Sequence, residues 1–183
     1  MAHVCPWWFV RSFDNPIRRM LHDPEQIFGA LVRPGMHVLD VGCGAGFNTE
    51  GLARLVGPAG LVVAVDLQPR MLAMTKQRLA RGELLAHAEL IQSSADDLGL
   101  GRRGRFGFAT AFWMVHEVPD HERLFKQLHD VLEDGASLLV CEPKLHVSRR
   151  AFETSVEAAQ RAGFNECDRP TVALSHAVRL VRL

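Results

Sequence analysis

The segment Asp40-Val41-Gly42-Cys43-Gly44-Ala45-Gly46 sets a carboxylate and three glycines close together, at the end of the apolar run from Val38. Glycine has no Cβ, so such a loop can take left-handed dihedrals and let backbone approach a ligand closely. If a helix follows, its first N–H groups have no intrahelical partner and give the site a positive end. A dinucleotide loop of the form GxGxxG needs glycine at 47. Phe47 stands there instead, and the third glycine falls at Gly46. A carboxylate at Asp40 repels a pyrophosphate but pairs with an ammonium group.

A second carboxylate, Asp66, ends the next apolar run, Leu61-Val62-Val63-Ala64-Val65, 20 residues after Gly46. At that place a carboxylate can accept both hydroxyls of a ribose. An amino-acid end near Asp40 and a ribose at Asp66 together describe S-adenosylmethionine. Two other readings compete: a tight strand–helix turn with no ligand, and an NAD-dependent oxidoreductase built on the same kind of sheet. Phe47 and Asp40 weigh against the second.

Methyl transfer from a sulfonium asks the protein mainly to align and desolvate the nucleophile. A general base is needed only where the nucleophile must lose a proton. His116, followed by Glu117, is the candidate base, with helix capping or loop ordering as its other role. Glu142 either lines the pocket or makes a salt bridge or cap. Trp8, Phe13 and Trp113, with Trp7 and Phe9, either form an aromatic acceptor pocket or pack in the core. The chain has no Tyr, which removes one common base. The four cysteines, Cys5, Cys43, Cys141 and Cys167, have no CxxC spacing, so no metal site is expected.

The elements that must position these residues follow from periodicity. Asp14-Asn15-Pro16 and Asp23-Pro24-Glu25 are helix starts, the second helix running to about Val32 before the turn Arg33-Pro34-Gly35. Strands are expected at 38–41, 61–65, 88–92, 106–112 and 137–141. Helices are expected at 46–55, 69–81, 120–132 and 148–162. The strand at 61–65 is apolar throughout, as a parallel strand buried on both faces should be. Strands alternating with helices imply an α/β, doubly wound, mostly parallel sheet. The last two strand segments, near 164–169 and 172–183, lack a helix between them and should form an antiparallel hairpin. The result is a single domain with a seven-stranded, Rossmann-like sheet.

Composition narrows the function classes. The 183 residues include 21 Lys+Arg and 21 Asp+Glu, a formal net charge of zero. That is not the basic footprint of a nucleic-acid binder. No apolar stretch reaches the ~20 residues of a membrane span, and no secretory signal pattern is present. The expectation is a cytoplasmic protein, a monomer or homodimer, acting on a small molecule.

Over about residues 34–183 the chain resembles the class I S-adenosylmethionine-dependent methyltransferases, in particular their methyltransferase-11 or UbiE-like group. The stretch 38–46 matches VLDxGCGxG. Asp66 follows the second strand, and Pro69-Arg70-Met71-Leu72 opens the next helix as in that family. Val115-His116-Glu117-Val118-Pro119-Asp120 resembles the family's LHHVPD region. Residues 132–143, ending Cys141-Glu142-Pro143, resemble LKPGGxLLxxEP. The resemblance implies a methyltransferase that leaves S-adenosylhomocysteine, with a domain at 35–183 and a helical, aromatic lid at 1–34. It implies that Asp40, Gly42, Cys43 and Gly44 hold the methionine end, that Asp66 takes the ribose and that Leu67 and Met71 flank the adenosine. It places Ser94, Ala95 and Asp96 around the adenine, and Phe112 beneath the cofactor. Ser94 stands where the family often has Asp, and Gly107 replaces another family Asp. A non-catalytic protein that binds S-adenosylmethionine is the alternative to an enzyme.

Overall fold

Seven strands form one mixed sheet among the described residues. The structure, a computed structural model, describes residues 16–101 and 105–183. Strands β1 (His37–Val41), β2 (Leu61–Asp66), β3 (Ala88–Gln92), β4 (Phe106–Phe112) and β5 (Leu132–Pro143) are parallel. Strand β7 (Ser175–Arg182) enters antiparallel between β5 and β6 (Phe164–Asp168), so the order across the sheet is β3-β2-β1-β4-β5-β7-β6. The Rossmann-like α/β fold and its C-terminal hairpin are therefore as expected.

Among the described residues the α-helices are α1 (Pro16–Leu21), α2 (Pro24–Phe28), α3 (Phe47–Val56), α4 (Pro69–Arg81), α5 (His121–Val131) and α6 (Arg149–Arg161). Alternate strand residues feed two apolar layers. Val38, Val62 and Phe108 pack with Phe28 of α2, Leu52 and Val56 of α3, and Leu79 of α4. Leu39, Val63 and Ala109 pack with Leu124, Phe125 and Leu128 of α5 and with Phe152 and Val156 of α6. Burying each such Leu, Val or Phe contributes about 1.5–3 kcal/mol. Caps follow the sequence: Asp120 accepts from Arg123 N–H at the start of α5, and Ser148 accepts from Ala151 N–H at the start of α6.

Two boundaries differ from expectation. Helix α2 stops at Phe28 rather than near Val32, because the N–H groups of Leu31 and Val32 both return to the Phe28 carbonyl and tighten the chain into turns. Helix α5 stops at Val131. Leu132 is already extended (ψ 153°) and pairs with Phe106 on β4, so β5 begins five residues before the expected Ser137, with an irregular register between. The apolar side chain of Leu132 continues the helical period and hides this switch. Among the described residues no helix is long and apolar enough to cross a membrane.

The order reverses between β1 and β4, so crossovers leave their carboxyl ends in opposite directions. This opens a crevice where open α/β sheets bind ligands.

Candidate functional site

The crevice holds a cavity of about 940 Å³, within the range of small-molecule sites. Its floor is the loop from Gly42 to Gly46, between β1 and α3. Gly42 and Gly46 have φ of +68° and +79°, a region that L side chains resist. A Cβ on Gly42 would meet Met114 at 2.8 Å, and one on Gly46 would meet Thr75 at 2.7 Å. Glycine is thus required twice over, by dihedral and by space.

The loop is held from three sides. Gly42 and Cys43 N–H donate to the Val65 carbonyl at 2.9 and 3.0 Å. Thr75 Oγ1 donates to the Gly44 carbonyl at 2.8 Å, and Arg78 Nε to the Ala45 carbonyl at 2.9 Å. Gly44 N–H donates to Asp66 Oδ2 at 2.8 Å, while Gln68 N–H donates to Asp66 Oδ1 at 2.8 Å. A carboxylate offers about four acceptor positions, so each Asp66 oxygen keeps one for a ligand hydroxyl. Asp66 lines the cavity but is only 8% exposed. Burial pushes its pKa up, against the pull of the two N–H bonds.

Asp40 stands apart from its expected contact. It is 1% exposed, is not among the residues lining the cavity, and accepts a hydrogen bond from Thr49 Oγ1 at 2.6 Å. Burial pushes its pKa up to about 6, with the Asp66 charge adding to that and the Thr49 bond and Arg18 opposing it. Any influence of Asp40 on a ligand passes through the loop as charge. Asn48, on the first turn of α3, does line the cavity, and its buried Oδ1 has no hydrogen-bond partner.

Across the cavity, Ser94 ties its own turn. Its N–H donates to the Asp97 carbonyl at 2.8 Å, and its Oγ accepts from Asp97 N–H at 3.1 Å. Gln127 of α5 clamps the same loop, donating to the Asp96 carbonyl and accepting from Leu98 N–H, both at 2.9 Å. Asp96 also pairs with Arg123.

The third wall begins where β4 ends. Trp113 has φ +60°, unusual for a bulky residue. Its N–H donates to the Cys141 carbonyl at 2.7 Å and its Nε1 to Ser175 Oγ at 2.8 Å, which together hold the strained turn. A single 3-10 turn, Val115–Glu117, follows. Glu142, at the end of β5, organises it. Glu142 Oε1 accepts from Val115 N–H at 2.9 Å, and Oε2 accepts from His116 N–H at 3.3 Å and meets His116 Nδ1 at 2.5 Å. The Glu142 bond raises the pKa of His116; burial opposes it, and the Glu142 and Glu117 charges add to it.

The cavity thus gathers Gly42, Cys43, Gly44, Asp66, Leu67, Met71, Ser94, Ala95, Asp96, Phe112, Trp113 and His116 from the residues expected at the site. Asp40 and Glu142 lie just behind it, each 1% exposed. Glu142 is a partner of His116 rather than a wall of the pocket. Trp8 and Phe13, with Cys5, Trp7 and Phe9, lie outside the described residues. Sequence reasoning missed Arg18, Asn48, Gln127, Lys144 and Leu174, which all line the cavity. Asn48 stands two residues after the glycine loop, within reach of the motif; the others carry no local signal. Among the described residues no three His, Cys, Asp or Glu side chains are grouped to hold a metal.

A protein-family model described as "Methyltransferase domain" matches residues 38–135. The ubiquinone biosynthesis O-methyltransferase of Xanthomonas campestris is 28% identical over 157 residues, 84% of this chain and 62% of that protein. The ubiquinone/menaquinone biosynthesis C-methyltransferase UbiE of Cronobacter sakazakii is 33% identical over 134 residues, 73% of this chain and 51% of that protein. The chain therefore spans only about half to three fifths of the length of these curated relatives. In fold it is similar to the solved structure of a SAM-dependent methyltransferase from Aquifex aeolicus. That match has a TM-score of 0.84 at 22% identity, over 98% of this chain and 100% of that one.

Proposed function

This chain belongs to the methyltransferase-domain family of class I S-adenosylmethionine-dependent methyltransferases, and from that premise we propose that it transfers the methyl group of S-adenosylmethionine to a small-molecule acceptor. The observation that carries the reading is the glycine loop bonded through Gly44 N–H to Asp66 at the floor of the cavity. Asp66 retains acceptor positions for the two ribose hydroxyls, which is the fit the cofactor needs. The loop and the start of α3 would hold the amino-acid end. Ser94, Ala95, Asp96, Leu67 and Met71 would border the adenosine, over Phe112.

When bound, S-adenosylmethionine supplies an electrophilic methyl group on a sulfonium. The protein's own work is alignment, exclusion of water and, for an acceptor with an acidic proton, proton removal. His116 is placed for that last role. Its Nδ1 is committed to Glu142, so Nε2 is the nitrogen left to accept a proton from the acceptor. The wall near Trp113 and Phe112 suits a flat, apolar acceptor. Relatives named for ubiquinone and menaquinone biosynthesis support a small acceptor of that chemical kind. Zero net charge supports a small acceptor over nucleic acid, and unpaired cysteine spacing supports a cytoplasmic setting. The segment before about residue 34 would act as a cover over the site, and its Arg18 lines the cavity.

The test is calorimetric titration of the full chain with S-adenosylhomocysteine and, separately, NADH, followed by transfer of labelled methyl to a panel of phenols and hydroquinones. Saturable binding of S-adenosylhomocysteine but not NADH, with label appearing on an acceptor, is the expected result. Binding with no transfer to any acceptor would favour a non-catalytic cofactor-binding protein. No binding at all would overturn the proposal.

A further inference from the structure

We infer that His22 is a pH-sensitive latch: as a neutral imidazole it holds α1 against the cavity wall at Trp113, and uptake of a proton releases that helix. The ring directly follows α1 and is only 2% exposed. Its Nε2 donates to the Ala173 carbonyl at 2.8 Å, 151 residues away in the chain. That carbonyl also accepts from Ser175 Oγ at 3.1 Å, and Ser175 Oγ accepts from Trp113 Nε1 at 2.8 Å. The His22 ring stands edge-on to Phe112 and Trp113, with centroids 5.4 and 5.0 Å away. One carbonyl between β6 and β7 therefore joins α1 to the aromatic wall of the cavity. That this wall meets the acceptor rests on the reading above; the latch does not.

The two N-terminal helices are seated differently. Phe28 of α2 is buried in the core, and Pro24 occupies the space where a Cβ on Gly51 of α3 would stand. On α1, Met20 and Leu21 are exposed, Met20 by 74%. Release of His22 therefore lets α1 swing about the His22–Asp23 junction while α2 stays in place.

The proton-sensitive atom is Nδ1. Because Nε2 carries the hydrogen given to Ala173, Nδ1 is bare, and it is buried with no hydrogen-bond partner. A proton there would make a buried cation with an unanswered N–H, which is costly. The groups around the ring do not answer it. Arg18, on the same helix, carries like charge, and the Asp23 carboxylate is turned to the Glu25 N–H. Phe112 and Trp113, and the connector from Val172 to Ser175, bring no titratable side chain. Aromatic faces attract a cation, but burial outweighs that attraction. Burial pulls the His22 pKa below its ordinary 6.5; the Ala173 bond opposes this and the Arg18 charge adds to it. With α1 released, the ring meets water and regains the ordinary value. The latch is therefore complete above pH 6.5 and weakens as pH falls below it.

The experiment is hydrogen–deuterium exchange of the full chain without ligand, at pH 7.5 and pH 5.5, corrected for the intrinsic effect of pH on amide exchange. The amides of Met20, Leu21 and His22 should exchange faster at pH 5.5 by about two-fold or more, up to about 10-fold, the limit one unit below the ordinary histidine value. Those of α2 and β1 should change by less than about two-fold. His22→Gln keeps a donor for the Ala173 carbonyl and takes up no proton, so its α1 amides should exchange alike at both pH values. His22→Phe keeps the packing and loses the bond, so they should exchange fast at both. A change in wild-type α1 of less than about two-fold overturns the latch without any variant. So does a pH response in His22→Gln equal to that of wild type, which would assign the titration to another group. A rise shared equally by α2 and β1 overturns it too, as a general loss of stability. Because no ligand is present, failure of the cofactor reading would leave this result untouched.

Discussion

Glu142 Oε2 lies 2.5 Å from Nδ1 of His116, and the same carboxylate accepts the backbone N–H groups of Val115 and His116. One buried side chain from the end of β5 thus sets both the shape of the turn after β4 and the tautomer of the histidine on it. In that tautomer Nδ1 carries the proton and Nε2 the lone pair.

The His116–Glu142 pair should titrate together. Glu142 and Glu117 raise the pKa of His116 above its ordinary 6.5. A histidine with a raised folded-state pKa contributes stability that is complete below pH 6.5 and is lost as pH climbs through the folded value. NMR titration of the histidine ring signals should place His116 above 6.5 in wild type. Glu142→Gln should lower it, because burial is then opposed only by the Glu117 charge. If transfer uses His116 as base, the rate should rise with pH through its folded pKa, and this limb should move to lower pH in Glu142→Gln. An unshifted histidine signal in that variant would remove Glu142 from the proposed mechanism.

Asp66→Ala removes the acceptor for Gly44 and Gln68 N–H and the ribose partner at once. Charge-assisted hydrogen bonds contribute about 1.5–3 kcal/mol each. Calorimetry should therefore show S-adenosylhomocysteine binding weakened by about 100-fold or more. A loss of less than about five-fold would mean that the ribose sits elsewhere.

Asp40 makes a different pH prediction. Its pKa is raised from 3.8 to about 6, chiefly by burial. Stability from a raised carboxyl is complete below pH 3.8 and is lost as pH rises to about 6. The shift corresponds to roughly 3 kcal/mol. Asp40→Asn keeps an acceptor for Thr49 and removes the titration. Urea unfolding of this variant should show a flatter stability curve between pH 4 and 6 and greater stability than wild type at pH 8. Identical curves for the two proteins would contradict the raised pKa.

Gly44 and Gly46 should respond to alanine differently, Gly44 mainly in ligand binding and Gly46 mainly in stability. A Cβ at Gly44 meets nothing within 4 Å, and the residue lines the cavity. Gly44→Ala should lose only about 1–2 kcal/mol from its positive φ, while its methyl group stands where the ligand must approach. At Gly46 a Cβ would lie 2.7 and 2.9 Å from Thr75 Cγ2 and Oγ1, the side chain that holds the Gly44 carbonyl. Gly46→Ala should cost about 3 kcal/mol or more, strain and overpacking combined. Urea midpoints and S-adenosylhomocysteine titrations on both variants would separate the effects. Equal stability losses would show that the loop yields around Thr75.

The amino-acid sequence by itself determined the mostly parallel sheet with its C-terminal hairpin, the glycine loop, and Asp66 as the carboxylate that ends the next strand. These depend on patterns within one strand–loop–helix unit, where period, glycine and a terminal carboxylate are read from neighbours in the chain. Tertiary structure decided the rest, because each remaining feature is a meeting of distant segments. Asp40 and Asp66 both end apolar runs and look alike in sequence, but Thr49 and the packed loop withdraw Asp40 from the cavity while Asp66 opens onto it. Glu142, at the end of a strand, reads in sequence as either a pocket residue or a salt-bridge or cap residue. The parallel pairing of β4 with β5 turns it into the partner of His116, 26 residues away. Arg18 has no motif, and it enters the site only because α1 lies against Phe47 and Trp113, which a distance along the chain does not encode.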